Sequence, residues 1–509
     1  MSPWTSRLLR VVPLALLGVA GCMRTPTAVD LRARPAASRS RIVVEAMRLI
    51  QERYVAPERI DPPMMLRQAV AELAKVVPGA KVLEEGGGQI VRLEGQQVVV
   101  RPEAATDLDA LGGLLDALIA WVGDLRSDVP TVKVQAAALR GAVHPLDRWC
   151  TVVAGPEQAQ LLENFRGTTA GIGVQIGRRD GALIVVEVYP GTPAAEAGIQ
   201  RDDRFVSVDG QPVSDRPVGD VTRWLKGTPG SEVRVELSRQ GRSQPLSLVL
   251  TRREFVAPTV STSMAARGIL HLQVRHLAQN SGVFASRALI GVQDLSGLRG
   301  IILDLRGNSG GSMVAAGQIA DQFVDHGVLI ETRGKDDRPV PGLLARIDAK
   351  TKTGSNVLRK TPLVVLMDHG TGSSSEVLVA ALAWHDRALL VGERTFGKNV
   401  MQQLLRLDKD TTLKLTVARS YAAGRPLPAE GIDPDVEILP DKAGSSSPRC
   451  LKADVGQDVA VAAFPTPAGS TDPARALAVT LLERYRADSR SAGRNAIARE
   501  VCTGDRGQK

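Results

Sequence analysis

The chain has 509 residues, of which 43% are hydrophobic and 23% charged, and its formal net charge is +9. This length predicts about three domains rather than one core, and the composition is that of a globular protein over most of the chain. The basic residues are spread along the sequence and only 3% of residues are aromatic. Both features argue against a nucleic-acid-binding protein, which needs clustered charge and stacking side chains.

The N-terminus, residues 1–22, has the pattern of a bacterial lipoprotein signal peptide. Arg7 and Arg10 precede an apolar run, VVPLALLGVA, that is too short to span a bilayer. The run ends in VAGC, which resembles a lipobox, so we expect Cys22 to carry acyl chains and to anchor the protein to a membrane. Met23 rather than Asp follows, which by resemblance to Gram-negative lipoproteins implies an outer-membrane anchor, with the protein facing the periplasm of the bacterial cell envelope.

The next segments are a tether and a mainly helical region. Residues 23–40 are rich in Pro, Ala, Ser and Arg and have no apolar period, which is typical of a linker. Residues 41–164 contain the amphipathic helix patterns RIVVEAMRLIQERYV and MMLRQAVAELAKVV, a Gly-rich hairpin and a leucine-rich helix. Within this region the segment from about Val82 to Val134 looks inserted, and its sequence indicates no function.

Two further patterns follow along the chain. Residues 165–254 contain short strands with turn signals and one or two short helices, which predict a small, partly open β-barrel. Residues 255–440 alternate apolar strands with helices, which predicts a mostly parallel sheet covered on both faces. Residues 441–509 look like a linker followed by a last helix near ARALAVTLLERYR. The predicted fold class is therefore α/β and multidomain.

Cysteine usage gives no evidence of a metal site. The chain contains no CxxC pair and no HExxH motif, so we expect neither a metal nor another cofactor. Cys150, Cys450 and Cys502 remain besides Cys22. In an oxidising compartment Cys450 and Cys502 could pair, but the sequence leaves that pairing open.

Several motifs, in order, resemble one known family. GIGVQI and VEVYPGTPAAEAGIQRDDRFVSVDGQPV resemble a bacterial PDZ domain. GIILDLRGNSGG, TPLVVLMDHGTGSSSEVLVAAL and RALLVGERTFGKNVMQQ look like the C-terminal processing peptidases, also called tail-specific proteases. The resemblance covers about residues 165–438 and implies a crotonase-like (ClpP-like) α/β peptidase core with a PDZ domain. It also implies serine endopeptidase activity through a Ser-Lys pair.

The resemblance assigns the catalytic roles motif by motif. The family's nucleophile lies three residues before the Glu of its SASASE run, which here is Ser373 before Glu376. The family's general base is the Lys of TFGKG, here Lys398 in TFGKN, and its helper Gln four residues later is Gln402. This chain departs from the family pattern by GTGSSSE in place of SASASE and by Asn399 in place of Gly.

The resemblance also implies an oxyanion hole made of backbone N–H groups. One donor is the residue after the nucleophile, Ser374. The other is a glycine of the NPGG-type loop, here Gly310 or Gly311 in NSGG, where Ser309 replaces the family's Pro.

Residue chemistry sets a condition on this mechanism. A serine hydroxyl is a weak nucleophile unless a base takes its proton. Lysine can be that base only when neutral, and about one exposed lysine in a few thousand is neutral at pH 7. The pKa of Lys398 must therefore fall by about three units, which burial among apolar side chains can supply.

Two other interpretations of these residues stay open from the sequence. Ser373 and Glu376 also fit an S-x-x-E capping box, which needs no catalysis; Ser375 could begin the helix instead. A Ser-His-Asp triad could use His385 with Asp386, or His369, although no GxSxG elbow is present.

The remaining assignments concern the substrate. The GIGV loop, Gly171, Ile172, Gly173 and Val174, resembles the PDZ loop that receives a peptide's terminal carboxylate. By resemblance, the PDZ domain would bind apolar C-termini and gate the peptidase, with Arg204 at the place of a family arginine. We expect cleavage of proteins near their C-termini. A catalytically silent PDZ scaffold is the alternative, and an adaptor protein and a homo-oligomer stay open.

Overall fold

The computed structural model describes residues 29–32, 40–292, 297–341, 343, 346–349, 356–440, 446–450 and 472–484. Cys22, Cys502 and most of the tether lie outside these residues. The chain divides into two compact units: residues 1–43 with 61–142, and residues 44–60 with 143–509. The region predicted as one N-terminal domain, residues 41–164, is thus shared between the two units.

The first unit packs helices beside a small sheet. Its strands form the order β1-β4-β3-β2, in which β1 is parallel to β4 and the other pairs are antiparallel. Asp61 and Asp107 cap the two longer helices by accepting hydrogen bonds from Met64 N–H and Ala110 N–H. The elements are β1 (Val29–Asp30), α1 (Arg41–Arg53, mostly in the second unit), α2 (Pro62–Val76), β2 (Lys81–Glu85), β3 (Gly88–Leu93), β4 (Gln96–Val100), α3 (Leu108–Leu125) and α4 (Thr131–Val143), with single 3₁₀ turns at Pro57–Arg59 and Pro102–Ala104.

The second unit contains the elements of the predicted PDZ domain, which follow β5 and α5. Five strands pair in the order β12-β11-β9-β8-β7, with β10 on β9, so β7 is an edge strand of this described sheet. The sheet is open rather than closed, and its core includes Ile172, Val185 and Val221. The elements are β5 (Thr151–Ala154), α5 (Pro156–Arg166), β6 (Thr168–Gly171), β7 (Val174–Arg179), β8 (Ala182–Val188), α6 (Pro193–Glu196), β9 (Arg204–Val208), β10 (Gln211–Pro212), α7 (Val218–Leu225), β11 (Glu232–Ser238), β12 (Leu246–Thr251) and β13 (Arg253–Val256).

The rest of the second unit is built on two sheets. The first has the order β14-β15-β16-β19-β20-β24-β25, and its five central strands are parallel, as predicted. The second, antiparallel sheet has the order β18-β17-β22-β21, with β5 and β23 on β22. The elements are β14 (Val260–Ala266), β15 (Ile269–Val274), α8 (Ser281–Ile290), β16 (Gly300–Asp304), α9 (Met313–Ala320), β17 (Val328–Arg333), a 3₁₀ turn at Lys335–Asp337, β18 (Arg346–Asp348), α10 (Asn356–Lys360), β19 (Leu363–Met367), α11 (Ser374–Trp384), β20 (Leu389–Gly392), β21 (Val400–Arg406), β22 (Thr411–Ala422), β23 (Arg425–Pro426), β24 (Val436–Pro440), β25 (Ser446–Cys450) and α12 (Pro473–Arg484).

The central strands read as continuous apolar runs because both faces of the sheet are covered. Every residue of β16 and β19 is buried. Alternate residues such as Leu303 and Val365 pack with helices α9 and α11. Their neighbours, such as Ile302 and Val364, pack against α12.

Helix α12 lies where the sequence pattern predicts the last helix, and the structure adds its packing. It buries Leu477, Ala478, Leu481 and Leu482 against the sheet. Arg306 joins it there by an ion pair with Asp472. Among the described helices, only α12 contributes buried residues to the apolar cluster on this face of the sheet. Its position is therefore set by tertiary packing.

We expect Leu481→Ala to lower the free energy of unfolding by about 2–5 kcal/mol, because a fully buried leucine would leave a cavity under the sheet. Thermal or denaturant unfolding of the full chain measures the loss. The matched control is Glu483→Ala, an exposed position on the same helix, which should change stability little. Equal effects of the two substitutions would contradict the packing of α12.

Candidate active site

Three loops of the candidate site follow adjacent parallel strands. The NSGG loop follows β16, the GTGSSSE segment follows β19, and the TFGKN segment follows β20. The carboxyl ends of parallel strands meet at one edge of a sheet, which is where α/β folds place their sites. Gly310, Ser373 and Lys398 therefore converge, although Gly310 and Lys398 are 88 positions apart in the sequence.

Hydrogen bonds fix the first two loops to each other. Gly307 N–H donates to the Asp368 carboxylate at 2.9 Å, and Gly372 N–H donates to the Asn308 carbonyl at 3.0 Å. The Thr371 hydroxyl donates to the Leu305 carbonyl at 3.0 Å. These contacts hold the loops so closely that a Cβ added to Gly310 would lie 2.9 Å from Ser373 Cβ. Only glycine fits there.

Ser373 caps the helix that it precedes and has an unusual backbone. Helix α11 begins at Ser374, so the expectation that Ser375 begins it is off by one residue. As the N-cap residue, Ser373 donates its N–H to Glu376, which is one half of a capping box, and no cap hydrogen bond to its hydroxyl is found among the described residues. Ser373 has φ 55° and ψ −122°, a region that L-residues rarely adopt, and such strain concentrates at functional sites.

Glu376 does far more than cap the helix. Its side chain is buried, and one oxygen accepts hydrogen bonds from Ser373 N–H at 2.7 Å and Lys398 N–H at 2.8 Å. The other oxygen accepts from the Thr395 hydroxyl at 2.6 Å and Gly397 N–H at 2.8 Å. One carboxylate thus holds the backbones of Ser373 and Lys398 side by side.

Lys398 lies in a partly apolar pocket with a fixed amine. Its Nζ donates to Gln402 Oε1 at 2.6 Å and lies 4.9 Å from the centre of the Trp149 ring. Gln402 in turn donates to the Trp149 carbonyl. A register shift between Met401 and Gln402 marks an irregularity in β21 at this position.

The environment makes the neutral form of Lys398 accessible. Burial, assisted by the charge of Lys414, lowers the pKa of Lys398 to about 8, while Asp147 and Glu376 act in the opposite direction. Roughly a tenth of the amines would then be neutral at pH 7, against about one in a few thousand for an exposed lysine. The shift has the direction that a lysine base requires.

The backbone N–H groups expected as oxyanion donors differ in whether they already donate a hydrogen bond within the described chain. Gly310 N–H donates to Asn308 Oδ1 at 3.0 Å. No hydrogen bond from Gly311 N–H or Ser374 N–H is found to any part of the chain that the structure describes. Of the three expected donors, the N–H groups of Gly311 and Ser374 are therefore the two that remain available.

The histidine alternatives are not supported by the geometry. His385 follows the last residue of α11, so the whole helix, on the order of 16 Å, separates it from Ser373. Its Nε2 donates to the Val328 carbonyl at 2.8 Å. His369 is exposed, and its ring lies 5.6 Å from that of Phe396.

Some residues of the site were missed by sequence reasoning. Trp149 lies far from Lys398 in sequence and reaches it because β5 pairs with β22. Asp147 fixes the turn by accepting hydrogen bonds from the N–H groups of Trp149 and Cys150. No motif marked these residues. Lys414, on β22, also gave no signal, because only the sheet pairing places its charge near Lys398.

The GIGV loop lies at the start of edge strand β7, as a peptide-binding loop would require. Gly173 has φ +87°, and an added Cβ would lie 2.2 Å from Thr192 Cβ, so a side chain is excluded there. Arg204 is exposed on β9, where it pairs with Ser238 of β11. No described contact links Arg204 to the GIGV loop.

Neither a metal-binding cluster nor a membrane-spanning helix is found among the described residues. Within the described ranges, no group of three or more His, Cys, Asp or Glu side chains could hold a metal ion. In the same ranges, none of the helices combines the length and apolarity needed to cross a bilayer.

Comparison with known proteins identifies two domains. Residues 269–438 match the model of peptidase family S41, and residues 184–239 match that of the PDZ domain. The chloroplastic C-terminal processing peptidase of Tetradesmus obliquus is 31% identical, over 60% of this chain and 68% of the relative. The carboxy-terminal processing protease CtpA of Bacillus subtilis is also 31% identical, over 61% of this chain and 65% of the relative.

A solved structure, a photosystem II D1 C-terminal processing protease, aligns with 79% of this chain and 95% of its own, at 24% identity and a TM-score of 0.39. The family and PDZ matches agree with the order of motifs and with the loops that meet at the edge of the parallel sheet. The chain belongs to the C-terminal processing peptidases of peptidase family S41.

Proposed function

We propose that this protein is a serine endopeptidase that cleaves protein substrates near their C-termini, with Ser373 as nucleophile and Lys398 as general base. One observation carries the proposal: the Lys398 amine has a lowered pKa and is fixed by Gln402, while Glu376 holds the Lys398 and Ser373 backbones together. The family relationship supports the reaction class.

The proposed reaction has two halves. Neutral Lys398 takes the proton of the Ser373 hydroxyl as Oγ attacks the scissile carbonyl, and the carbonyl π electrons move to oxygen. The N–H groups of Ser374 and Gly311 stabilise that oxyanion, an effect of about 3–4 kcal/mol per donor. Protonated Lys398 then gives its proton to the leaving amine, which leaves an ester on Ser373. A water molecule, deprotonated by Lys398, hydrolyses the ester and restores the enzyme.

Gln402 acts as a positioning residue in this scheme. Its side-chain oxygen accepts from the lysine amine, and its own amide is held by the Trp149 carbonyl. The amine is thereby kept in one rotamer, which lowers the entropic cost of proton transfer.

The PDZ domain would hold the substrate tail. The open edge of β7 can pair with an extended peptide, and the GIGV loop at Gly171–Val174 can receive its terminal carboxylate through backbone N–H groups. Binding of apolar C-termini and gating of the peptidase are part of this proposal. An adaptor protein and a homo-oligomer remain candidate partners.

We also propose that the protein is anchored in the bacterial envelope through Cys22. The basic segment, the short apolar run and VAGC support this, since together they have the form of a lipoprotein signal. Expressed in a Gram-negative host with an alkyne palmitate analogue, the wild-type chain should take up label and fractionate with outer membranes. Cys22→Ser should lose the label. An unlabelled wild-type chain would contradict the anchor.

We expect Ser373→Ala to lower the cleavage rate of an unstructured peptide with an apolar C-terminus by at least about 1,000-fold, because the acyl-enzyme can no longer form. Lys398→Met should do the same with an unchanged or higher melting temperature, since it removes a buried amine. Mass spectrometry of the products measures cleavage. Ser375→Ala is the matched control: its buried hydroxyl has no hydrogen-bond partner within the described chain, so activity should persist. A wild-type protein that cleaves none of these peptides would favour the silent scaffold, and full cleavage by Ser373→Ala would contradict Ser373 as the nucleophile.

The pH dependence of kcat/KM should report the Lys398 amine. Because the neutral form is the base, kcat/KM should rise about tenfold per pH unit below the pKa of about 8 and level off above it. Lys414→Met removes a repelling charge, so protonated Lys398 becomes more stable and the rising limb should move to higher pH. Lys409→Met, at an exposed site, is the control. A limb that stays in place in Lys414→Met would contradict the electrostatic assignment.

A further inference from the structure

A cavity of about 510 Å³ connects the PDZ loop to the surroundings of Ser373. Its walls include the loop and edge strand at residues 171–176, the end of α7 at Thr222 to Lys226, and the pair Arg275 and His276. Ser309 also lines it. Since Ser309 directly precedes Gly310, which contacts Ser373, a tail that lies in this cavity runs from the GIGV loop toward the nucleophile.

The charged side chains in the lining of this cavity are all of one sign. Among the described residues that line it, Lys226, Arg275 and His276 are basic, and none is Asp or Glu. Burial lowers the pKa of His276, whose Nε2 lies 3.1 Å from the Asn164 carbonyl and donates to it, so this ring is neutral near pH 7. Lys226 and Arg275 are therefore the cations of the cavity.

Arg275 lacks the partner that a half-buried guanidinium normally has. Its side chain makes one long hydrogen bond, 3.3 Å to Ser261 Oγ, and no carboxylate lies within ion-pair distance among the described residues. By contrast, Arg239 and Arg306 of the same unit each pair with a buried aspartate. A guanidinium has five donors suited to a carboxylate, so Arg275 presents unused donors to the cavity.

Lys226 lies beside the start of the GIGV loop. It forms an isolated β-bridge with Gly171, and a Cβ on Gly171 would lie 3.5 Å from Lys226 Cα. Arg275 belongs to another wall of the cavity: it follows β15, and its charge acts on Tyr189, whose N–H donates to the Gly173 carbonyl. Backbone N–H groups of the loop suffice for a terminal carboxylate. Arg275 is thus available for a second negative charge.

We propose that Arg275, assisted by Lys226, forms a carboxylate subsite that selects substrate tails with an acidic side chain upstream of an apolar C-terminus. This rests on the proposed binding of substrate tails by the PDZ domain. The ligand is an Asp or Glu side chain of an extended peptide. Its carboxylate would replace water around the Arg275 guanidinium, which has already lost part of its hydration by burial. The pairing would add a charge-based specificity to the backbone contacts of the GIGV loop.

The test measures binding separately from cleavage. The binding of fluorescent peptides to full-length Ser373→Ala is measured. The peptides share one apolar C-terminus and form pairs, and the two members of a pair carry Glu or Gln at the same position. Five pairs place this residue at the second, third, fourth, fifth or sixth position from the end. We expect at least one position where Glu binds about fivefold or more tightly than Gln, as charge-assisted hydrogen bonds allow. Arg275→Gln should abolish this preference and Arg275→Lys should keep part of it. Arg242→Gln, at an exposed position outside the cavity, is the control and should keep it.

A second measurement needs no substitution at Arg275. In the Ser373→Ala protein, the preference for Glu should shrink as NaCl is raised from about 0.05 to 0.5 M, because salt screens the pair. No preference at any position would overturn the subsite. A preference that persists in Arg275→Gln would also overturn it. Cleavage by the wild-type protein, which retains Ser373, is measured in a separate assay. A protein that does not cleave but still prefers Glu over Gln would refute only the proposed activity.

Discussion

The buried carboxylate of Glu376 is the constraint on which the candidate site depends. It accepts four hydrogen bonds, from Ser373 N–H, Lys398 N–H, Gly397 N–H and the Thr395 hydroxyl. A buried charge is costly unless its oxygens are fully bonded, and these four donors supply that compensation. The same bonds set the distance between the backbone of Ser373, the proposed nucleophile, and that of Lys398, the proposed base. A capping residue of one helix therefore also assembles the site.

The two sheets contribute different parts of the chemistry. The parallel sheet brings three loops to one edge and so supplies Ser373 and the backbone donors. The antiparallel sheet supplies Gln402 on β21 and Lys414 on β22, and through β5 it brings Trp149 to the amine of Lys398. The lowered pKa of Lys398 is consequently a property of both sheets, since burial and a neighbouring positive charge outweigh the nearby carboxylates.

The PDZ domain and the peptidase core share a cavity, and this gives the domain order a physical meaning. The GIGV loop, where Gly173 leaves no room for a side chain, lies at one part of the cavity, and Ser309 of the NSGG loop lies at another. The proposed capture of a peptide's end at the loop would therefore place the preceding residues near the NSGG loop. Arg275, which has no carboxylate partner among the described residues, lies in the wall of the same cavity, where we propose that it binds an acidic side chain of the substrate.

The sequence by itself determined the fold class, the parallel sheet, the PDZ domain and the segments that converge on Ser373 and Lys398. It could do so because strand periodicity, glycine positions and ordered motifs are local properties. Only the tertiary structure decided that α12 covers the sheet, that Glu376 bonds to both segments, and that Trp149 and Lys414 surround the lysine. It also showed that the Gly310 N–H donates to Asn308, whereas no hydrogen bond from the Gly311 N–H is found within the described residues. Burial, pairing and pKa are set by residues distant in sequence, and a linear pattern contains no record of which distant residues meet.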